Sequence, residues 1–365
     1  MKVAIAHEWI VTLGGSERVT LEFHRLYPQA PIFTTVYDAA ARAEFRDADV
    51  RPSFPQHIPG AVRRYPQLLP LMPLAFSRFD TRGYDLVLIS SHAASKAIPK
   101  HPGQLHICYC HTPMRYAWDL YDIYVRQSGL NPAQRLAARA VFRSMRRWDR
   151  RSARHIDRFI ANSQNVAGRI RRYYGRDAIV IPPPIDCERF RPAPSVSDHF
   201  LVVSRLVPYK RVDVAVLAFS QLGWPLHVVG AGVEQARLEA MAGPSVRFSG
   251  HLDDEALARE YASARALVFT ANEDAGMVPL EAMASGRPVL AYRGGGALEV
   301  VQENLTGAFF DAQDPASLVE ALRQFNPDAY DPAGIRAHAE RYGRPRFRAA
   351  IADVVTGAVH SKTSV

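Results

Sequence analysis

Through nearly the whole chain, short apolar runs alternate with stretches whose apolar positions recur every three to four residues. The runs predict strands at Lys2–His7, Pro31–Tyr37, Asp85–Ser90, His106–Cys110 and Arg158–Ala161 in the first half. In the second half they fall at Phe200–Ser204, Leu226–Gly230, Val246–Ser249, Ala266–Thr270, Pro288–Ala291 and Ala308–Phe310. Helical patterns lie between them, as at Arg211–Gln221, where Val212, Ala215, Val216 and Phe219 share one face. Such alternation predicts an α/β protein with parallel sheets covered by helices on both sides. At ~180 residues, each half suits one doubly wound, Rossmann-like domain. The boundary is placed at Ile181-Pro182-Pro183-Pro184-Ile185-Asp186, because three consecutive prolines cannot donate to a strand ladder and hold the chain extended. Tyr65–Phe79 is apolar but broken by Pro66, Pro70 and Pro73, and is read as packed core, with a dip into a membrane interface as the sharper alternative.

Composition narrows the class. Of 365 residues, 48% are hydrophobic and 22% charged, the balance of an ordinary globular chain. No stretch approaches the ~18 uninterrupted apolar residues of a membrane span. The opening MKVAIAHEWI reaches His7 and Glu8 too soon to build a secretory core. Three cysteines, Cys108, Cys110 and Cys187, cannot all pair, so reduced thiols in a cytoplasmic protein are expected.

Charge changes the picture more. Residues 1–180 carry 27 Lys and Arg against 14 Asp and Glu, whereas residues 181–365 carry 18 against 22. Most of the excess lies in Arg135, Arg139, Arg143, Arg146, Arg147, Arg150, Arg151, Arg154 and Arg158. On a helix these fall within about 160° of arc, with Val141, Met145, Trp148 and Ile156 opposite. A solvated face, a nucleic-acid footprint and a surface for anionic lipid or a pyrophosphate-bearing lipid all fit such an arc. Arg139, Arg143, Arg146 and Arg150 are the candidate lipid-facing residues.

Three units carry candidate chemistry. In HEWIVTLGGSERV, Gly14 and Gly15 precede Ser16, read as a helix N-cap, so backbone N–H groups can approach an anion. In SRLVPYKR, Arg205 and Lys210 follow a buried strand, at the crevice where doubly wound sheets bind ligands. In EDAGMVPLEAMASGRPVLAYRGGGALEVV, Glu273 sits in a loop and Glu281 on the first turn of a helix. Both carboxylates there can accept from vicinal hydroxyls, and Gly294-Gly295-Gly296 forms a second flexible loop. No Asp-x-Asp in a strand-end loop and no His/Cys ligand cluster is readable, so neither metal nor cofactor is expected.

The combination of GGSER, SRLVPYK and Glu-x7-Glu resembles the retaining glycosyltransferases of family 4, over residues 1 to about 325. HEWIVTLGGSERV and YCHTPMRYAWD are similar to the branch of bacterial O-antigen mannosyltransferases. The resemblance implies the GT-B fold, two Rossmann-like domains facing a cleft. Residues 1–180 would bind acceptor and 181–345 the nucleotide sugar, with 346–365 crossing back to the first domain. It also implies that Arg205 and Lys210 neutralise the donor diphosphate, Glu281 binds the ribose and Glu273 the sugar. Gly276 and Met277 would cradle sugar or phosphate through their amides, and Gly14 and Gly15 would lie beside the diphosphate. His111 matches a cleft histidine, while Arg115 and Tyr116 are candidates for the acceptor side. Ala275 stands where many members carry an aromatic residue, which bears on donor preference.

The expected function is retaining, metal-independent transfer of a sugar, with mannose from GDP-mannose first and a uridine diphosphate sugar next. The acceptor is a hydroxyl of a polyprenyl-diphosphate-linked glycan, and the site of action the inner face of an anionic membrane. A nucleotide-sugar epimerase on the same fold is the second reading. A nucleic-acid-binding protein using the arginine helix is the third, ranked last because it leaves Glu-x7-Glu unexplained.

Overall fold

The computed structural model describes residues 1–40, 42–119 and 131–363. The chain divides into two compact units, residues 1–182 with 348–365, and residues 183–347. The break falls inside the proline run.

The first unit is built on strands β1 (Val3–His7), β2 (Ile32–Thr34), β3 (Val50–Pro52), β4 (Leu86–Ser91), β5 (Leu105–Cys110), β6 (Arg158–Ala161) and β7 (Ala178–Val180). They form a parallel sheet in the order β3-β2-β1-β4-β5-β6-β7. The central strands β1, β4 and β5 are buried along their whole length, as a strand covered on both faces requires. Their residues therefore read as unbroken apolar runs. β3 and β7 sit at the sheet edges and are mostly half-buried or exposed; β3 (VRP) carries no apolar run and β7 (AIV) is only three residues long, so the sequence reading misses both.

Helices α1 (Gly15–Leu26), α2 (Pro132–Ala153) and α3 (Gln164–Tyr174) belong to this unit. Asn131 caps α2 reciprocally with Gln134: its side chain accepts from the Gln134 N–H at 2.9 Å, and Gln134 Oε1 accepts from the Asn131 N–H at 3.0 Å. Two features of α2 depart from the sequence reading. The helix ends at Ala153, so Ile156 and Arg158 lie beyond it, and Val141 is 57% exposed rather than packed. Only its second half meets the core, through Phe142, Met145, Trp148 and Ala153.

The second unit holds β8 (Phe200–Val203), β9 (Leu226–Val229), β10 (Val246–Phe248), β11 (Ala266–Phe269), β12 (Val289–Tyr292) and β13 (Gly307–Phe310), parallel in the order β10-β9-β8-β11-β12-β13. Helices α4 (Val212–Leu222), α5 (Asp254–Ser263) and α6 (Met277–Ala284) connect them. Helix α4 buries Val214 and Ala218 besides the four residues of its predicted face, because sheet and neighbouring helix cover it widely. The last helix, α7 (Arg344–Thr363), lies from Arg348 onward in the first unit, where Arg348 pairs with buried Glu22 at 2.5 Å. No helix among the described residues is long and apolar enough to cross a membrane.

Candidate active site

Each sheet reverses its strand order once, between β1 and β4 in the first unit and between β8 and β11 in the second. In open α/β sheets the loops leaving the carboxyl ends of the strands at that point form the binding crevice. The sequence-predicted residues fall there in both units.

In the first unit the parallel register sets His7 opposite Ser90. A buried polar cluster grows from this pair. His7 Nδ1 donates to the Ser90 carbonyl at 3.1 Å, and its Nε2 faces Glu17 Oε1 at 3.9 Å. Glu8 is fully buried, and its Oε1 accepts from the backbone N–H of His92, Ala93 and Ser95 and from the hydroxyls of Ser91 and Ser95, at 2.8–3.2 Å. Its Oε2 faces His92 Nδ1 at 3.2 Å. Burial opposes ionisation, but His92, His7 and these donors hold the carboxyl well below the usual range. Glu17 is likewise opposed by burial and pulled down to about 2, chiefly by His7. The His7 imidazole, opposed by burial, is raised by Glu17 and Glu8.

His111 follows β5 and hydrogen-bonds through Nε2 to Ser90 Oγ at 2.9 Å. Burial, with His92 and His7 nearby, pushes its imidazole down to about 3, so the ring is neutral at pH 7. A neutral imidazole at this position offers one donor and one acceptor and adds no charge to the crevice.

Two sequence expectations are corrected here. Gly14, not Ser16, caps α1, and its N–H already donates to Glu17 Oε2 at 3.0 Å, as does Ser16 Oγ at 2.9 Å. The protein's own carboxylate thus occupies the anion position beside Gly14 and Gly15. Tyr116, expected on the acceptor side, packs against the core with its hydroxyl buried, and burial raises its pKa. Its neighbour Arg115 is half-buried.

In the second unit, Ser204 and Arg205 leave β8 and a short helical turn, Pro208–Lys210, follows. Arg211 then adopts φ 53°, a left-handed conformation that costs a non-glycine residue ~1 kcal/mol or more. That turn starts α4 and sets Lys210 against the loop after β11, where its Nζ forms an ion pair with Glu273 Oε1. The cation and the carboxylate named from sequence are thus direct partners. Thr270 Oγ1 donates to the Lys210 carbonyl at 3.0 Å and ties the two loops together. Arg205 is exposed and donates to Tyr209 Oη at 2.8 Å.

Gly276 caps α6, placing the Met277 amide at the helix start. A Cβ on Gly276 would meet Val300 Cγ2 at 2.3 Å, so only glycine fits. The helix begins two residues earlier than expected, which puts Glu281 on its second turn, where Oε2 accepts from Tyr261 Oη at 2.9 Å. The Gly294–Gly296 segment, expected to be flexible, is packed instead. The Gly296 N–H donates to the Glu273 carbonyl at 2.8 Å, and a Cβ on Gly295 would meet that same carbonyl at 2.3 Å. It braces the Glu273 loop.

Sequence reasoning missed His7, Glu8, Glu17 and His92 in the first unit. For His7, Glu8 and His92 the signal is a position at the last residue of a strand or just past it, in AHEW and ISSH, whereas Glu17 lies in the first turn of α1. It also missed Gly230-Ala231-Gly232 after β9, where a Cβ on Gly230 would strike the Ser204 carbonyl at 1.8 Å. A separate hollow lined by Glu303, Phe309, Asp311 and Tyr330 flanks edge strand β13 and contains none of these groups.

Of the four arginines assigned to a lipid face, two have structural work. Arg146 Nε donates to the Ala117 carbonyl at 2.6 Å and Arg150 Nε to the Tyr173 carbonyl at 2.9 Å. Both guanidinium groups lie over Trp118, at 5.5 and 4.9 Å from the ring centre. Trp118 stacks on Tyr173 and donates to buried Asp149 at 2.8 Å. Arg139 and Arg143 are exposed, on the half of α2 that also exposes Leu136 and Val141.

Two parallel sheets, each with a polar crevice at its switch point, define an α/β protein of the two-domain GT-B type. Residues 13–189 match the model described as Glycosyltransferase Family 4, and residues 189–344 that of the glycosyl transferases group 1. Together these cover residues 13–344, and the chain belongs to the glycosyltransferase family they describe. It is 32% identical over 249 residues to a D-inositol 3-phosphate glycosyltransferase of Streptomyces scabiei, spanning 57% of this chain and 55% of that one. It is 30% identical over 174 residues to a GDP-mannose-dependent alpha-(1-6)-phosphatidylinositol monomannoside mannosyltransferase of Mycobacterium tuberculosis, spanning 40% of this chain and 45% of that one. The matches thus span about half the length of these curated relatives. In structure it is similar to Anabaena Alr3699/HepE, solved with UDP and glucose, with a TM-score of 0.74 and 19% identity over 98% of this chain and 99% of that one.

Proposed function

We propose that the protein is a retaining glycosyltransferase that transfers a sugar from a nucleoside diphosphate donor to a hydroxyl of a lipid-linked glycan. The observation that carries this reading is the joining of Arg205, Lys210, Glu273 and Glu281 around one switch point. The two cations supply fixed positive charge for a diphosphate leaving group, and this reading assigns no metal a part in transfer. On donor binding Lys210 exchanges its partner, Glu273, for phosphate oxygens, which releases the Glu273 carboxylate to accept from sugar hydroxyls. Glu281, oriented by Tyr261, accepts from the ribose diol. In the first unit, neutral His111 is a hydrogen-bonding group at the end of β5.

GDP-mannose is the proposed donor, supported by the likeness to a GDP-mannose-dependent relative and by the mannosyltransferase-like HEWIVTLGGSERV segment. The lipid-linked acceptor and action at the inner face of an anionic membrane are supported by Arg139, Arg143, Leu136 and Val141, exposed together on α2. The test is transfer from labelled GDP-mannose and UDP-glucose, with and without a polyprenyl-diphosphate glycan, and NMR of the product anomer. Acceptor-dependent product with the donor's anomeric configuration is expected. Conversion of the sugar nucleotide without acceptor would instead support an epimerase.

A further inference from the structure

Among the described residues, one group of three metal-capable side chains comes together: His199, His227 and Glu260, with donor atoms all within 4.8 Å of one another. His199 directly precedes β8, His227 is the second residue of β9, and Glu260 projects from α5. Parallel pairing of β8 with β9 and the packing of α5 assemble a set that spacing along the chain does not reveal.

Without an ion, this cluster is mismatched. His227 Nδ1 stands 2.7 Å from Glu260 Oε2 and 3.1 Å from an Arg247 guanidinium nitrogen. The first contact needs a proton on Nδ1 and the second a lone pair, and one nitrogen cannot offer both. His199 Nε2 is buried, has no hydrogen-bond partner, and lies 3.5 Å from the same Glu260 oxygen. A buried, unsatisfied polar atom of this kind is unfavourable until a partner is supplied.

We propose that His199 Nε2, His227 Nδ1 and Glu260 hold a divalent transition-metal ion, zinc by the chemistry of the donor set. Two imidazoles and one carboxylate suit zinc, with water in the fourth position. The ion takes the Nδ1 lone pair of His227, gives His199 Nε2 a partner, and displaces the exposed Arg247 side chain to water. On its far side His227 Nε2 hydrogen-bonds to Ser249 Oγ, a hydroxyl that can accept from a protonated Nε2 and so accommodates the tautomer with a free lone pair on Nδ1.

The site lies at the amino end of β8 and β9, whereas the donor loops leave the carboxyl ends, so the ion takes no part in transfer. Its effect is on α5. Glu260 precedes Tyr261, the residue that orients Glu281, so pinning Glu260 pins the helix that carries this hydrogen bond.

The experiment is titration of chelator-stripped, full-length protein with zinc by calorimetry, and with cobalt by visible absorption, for wild type, His199→Gln and Arg247→Ala. Circular dichroism establishes that each variant is folded. Wild type is expected to bind one zinc per chain and to give the intense visible bands of low-coordinate cobalt. His199→Gln should weaken zinc binding at least ~10-fold and lose those bands, while Arg247→Ala tightens binding by removing the competing cation. No stoichiometric binding, or equal affinity in wild type and folded His199→Gln, overturns the proposal.

Discussion

The two switch points solve opposite electrostatic problems. In the first unit the charged groups are buried and answer one another: Glu8 and Glu17 face His7 and His92, and Glu8 ties down five donors from residues 91–95. Glu8 Oε1 is saturated before any ligand arrives, although Glu8 Oε2 and His7 Nε2 have charged neighbours and no hydrogen bond. In the second unit Arg205 is exposed and Lys210 and Glu273 are half-buried partners at a loop junction. Their pairing joins two loops rather than a packed core, and a diphosphate would compete with Glu273 for the Lys210 ammonium. One crevice is a rigid wall, and the other is poised to bind charge.

This contrast sets the expected scale of substitutions. Glu8→Ala leaves three backbone N–H groups and the Ser91 hydroxyl without this acceptor and should lower stability by ~3–5 kcal/mol in urea unfolding. Lys210→Ala should do the reverse, lowering turnover by ~10²–10³ while the urea midpoint hardly moves. A Lys210→Ala enzyme with wild-type kinetics would erase the distinction between the two regions. Trp118→Ala should cost ~3 kcal/mol, because it removes the ring stacked on Tyr173 and one of the two donors to Asp149 Oδ2, leaving Tyr174 alone there.

A smaller effect concerns acid. His106 is buried on β5, where burial and then Lys100 push its imidazole down to about 3, against an ordinary 6.5. Between those values the unfolded chain takes a proton that the folded chain refuses, so stability falls as pH drops from about 6.5 toward 3. His106→Gln should flatten that limb of a melting-temperature profile. Smallest is the surface effect: reversing Arg139 and Arg143 to Glu should reduce binding to anionic vesicles at low salt and leave stability unchanged.

Strand positions were legible because fully buried parallel strands must be continuous apolar runs, as VAIAH and LVLIS are. The loops with Arg205, Lys210, Glu273 and Glu281 were legible because each directly follows such a run. The cluster of His7, Glu8, Glu17 and His92 was not, since its members come together through the β1–β4 register and the placement of α1 beside β1. Arg146 and Arg150 were misread for a related reason: a charge pattern gives the arc of a helix but not the tryptophan waiting beside it. Gly294–Gly296 shows the same limit, because a glycine run permits both a mobile loop and a tightly packed one.

The central claim is that the switch point of the second unit binds a nucleoside diphosphate through Lys210 and Glu281. Calorimetric titration with the guanosine, uridine and adenosine diphosphates, without added metal, tests it on wild type and on Glu281→Ala. The account predicts that one base binds clearly tighter than the others and that Glu281→Ala loses this binding while remaining folded. Equal binding by wild type and Glu281→Ala, or no binding of any of the three, would contradict it.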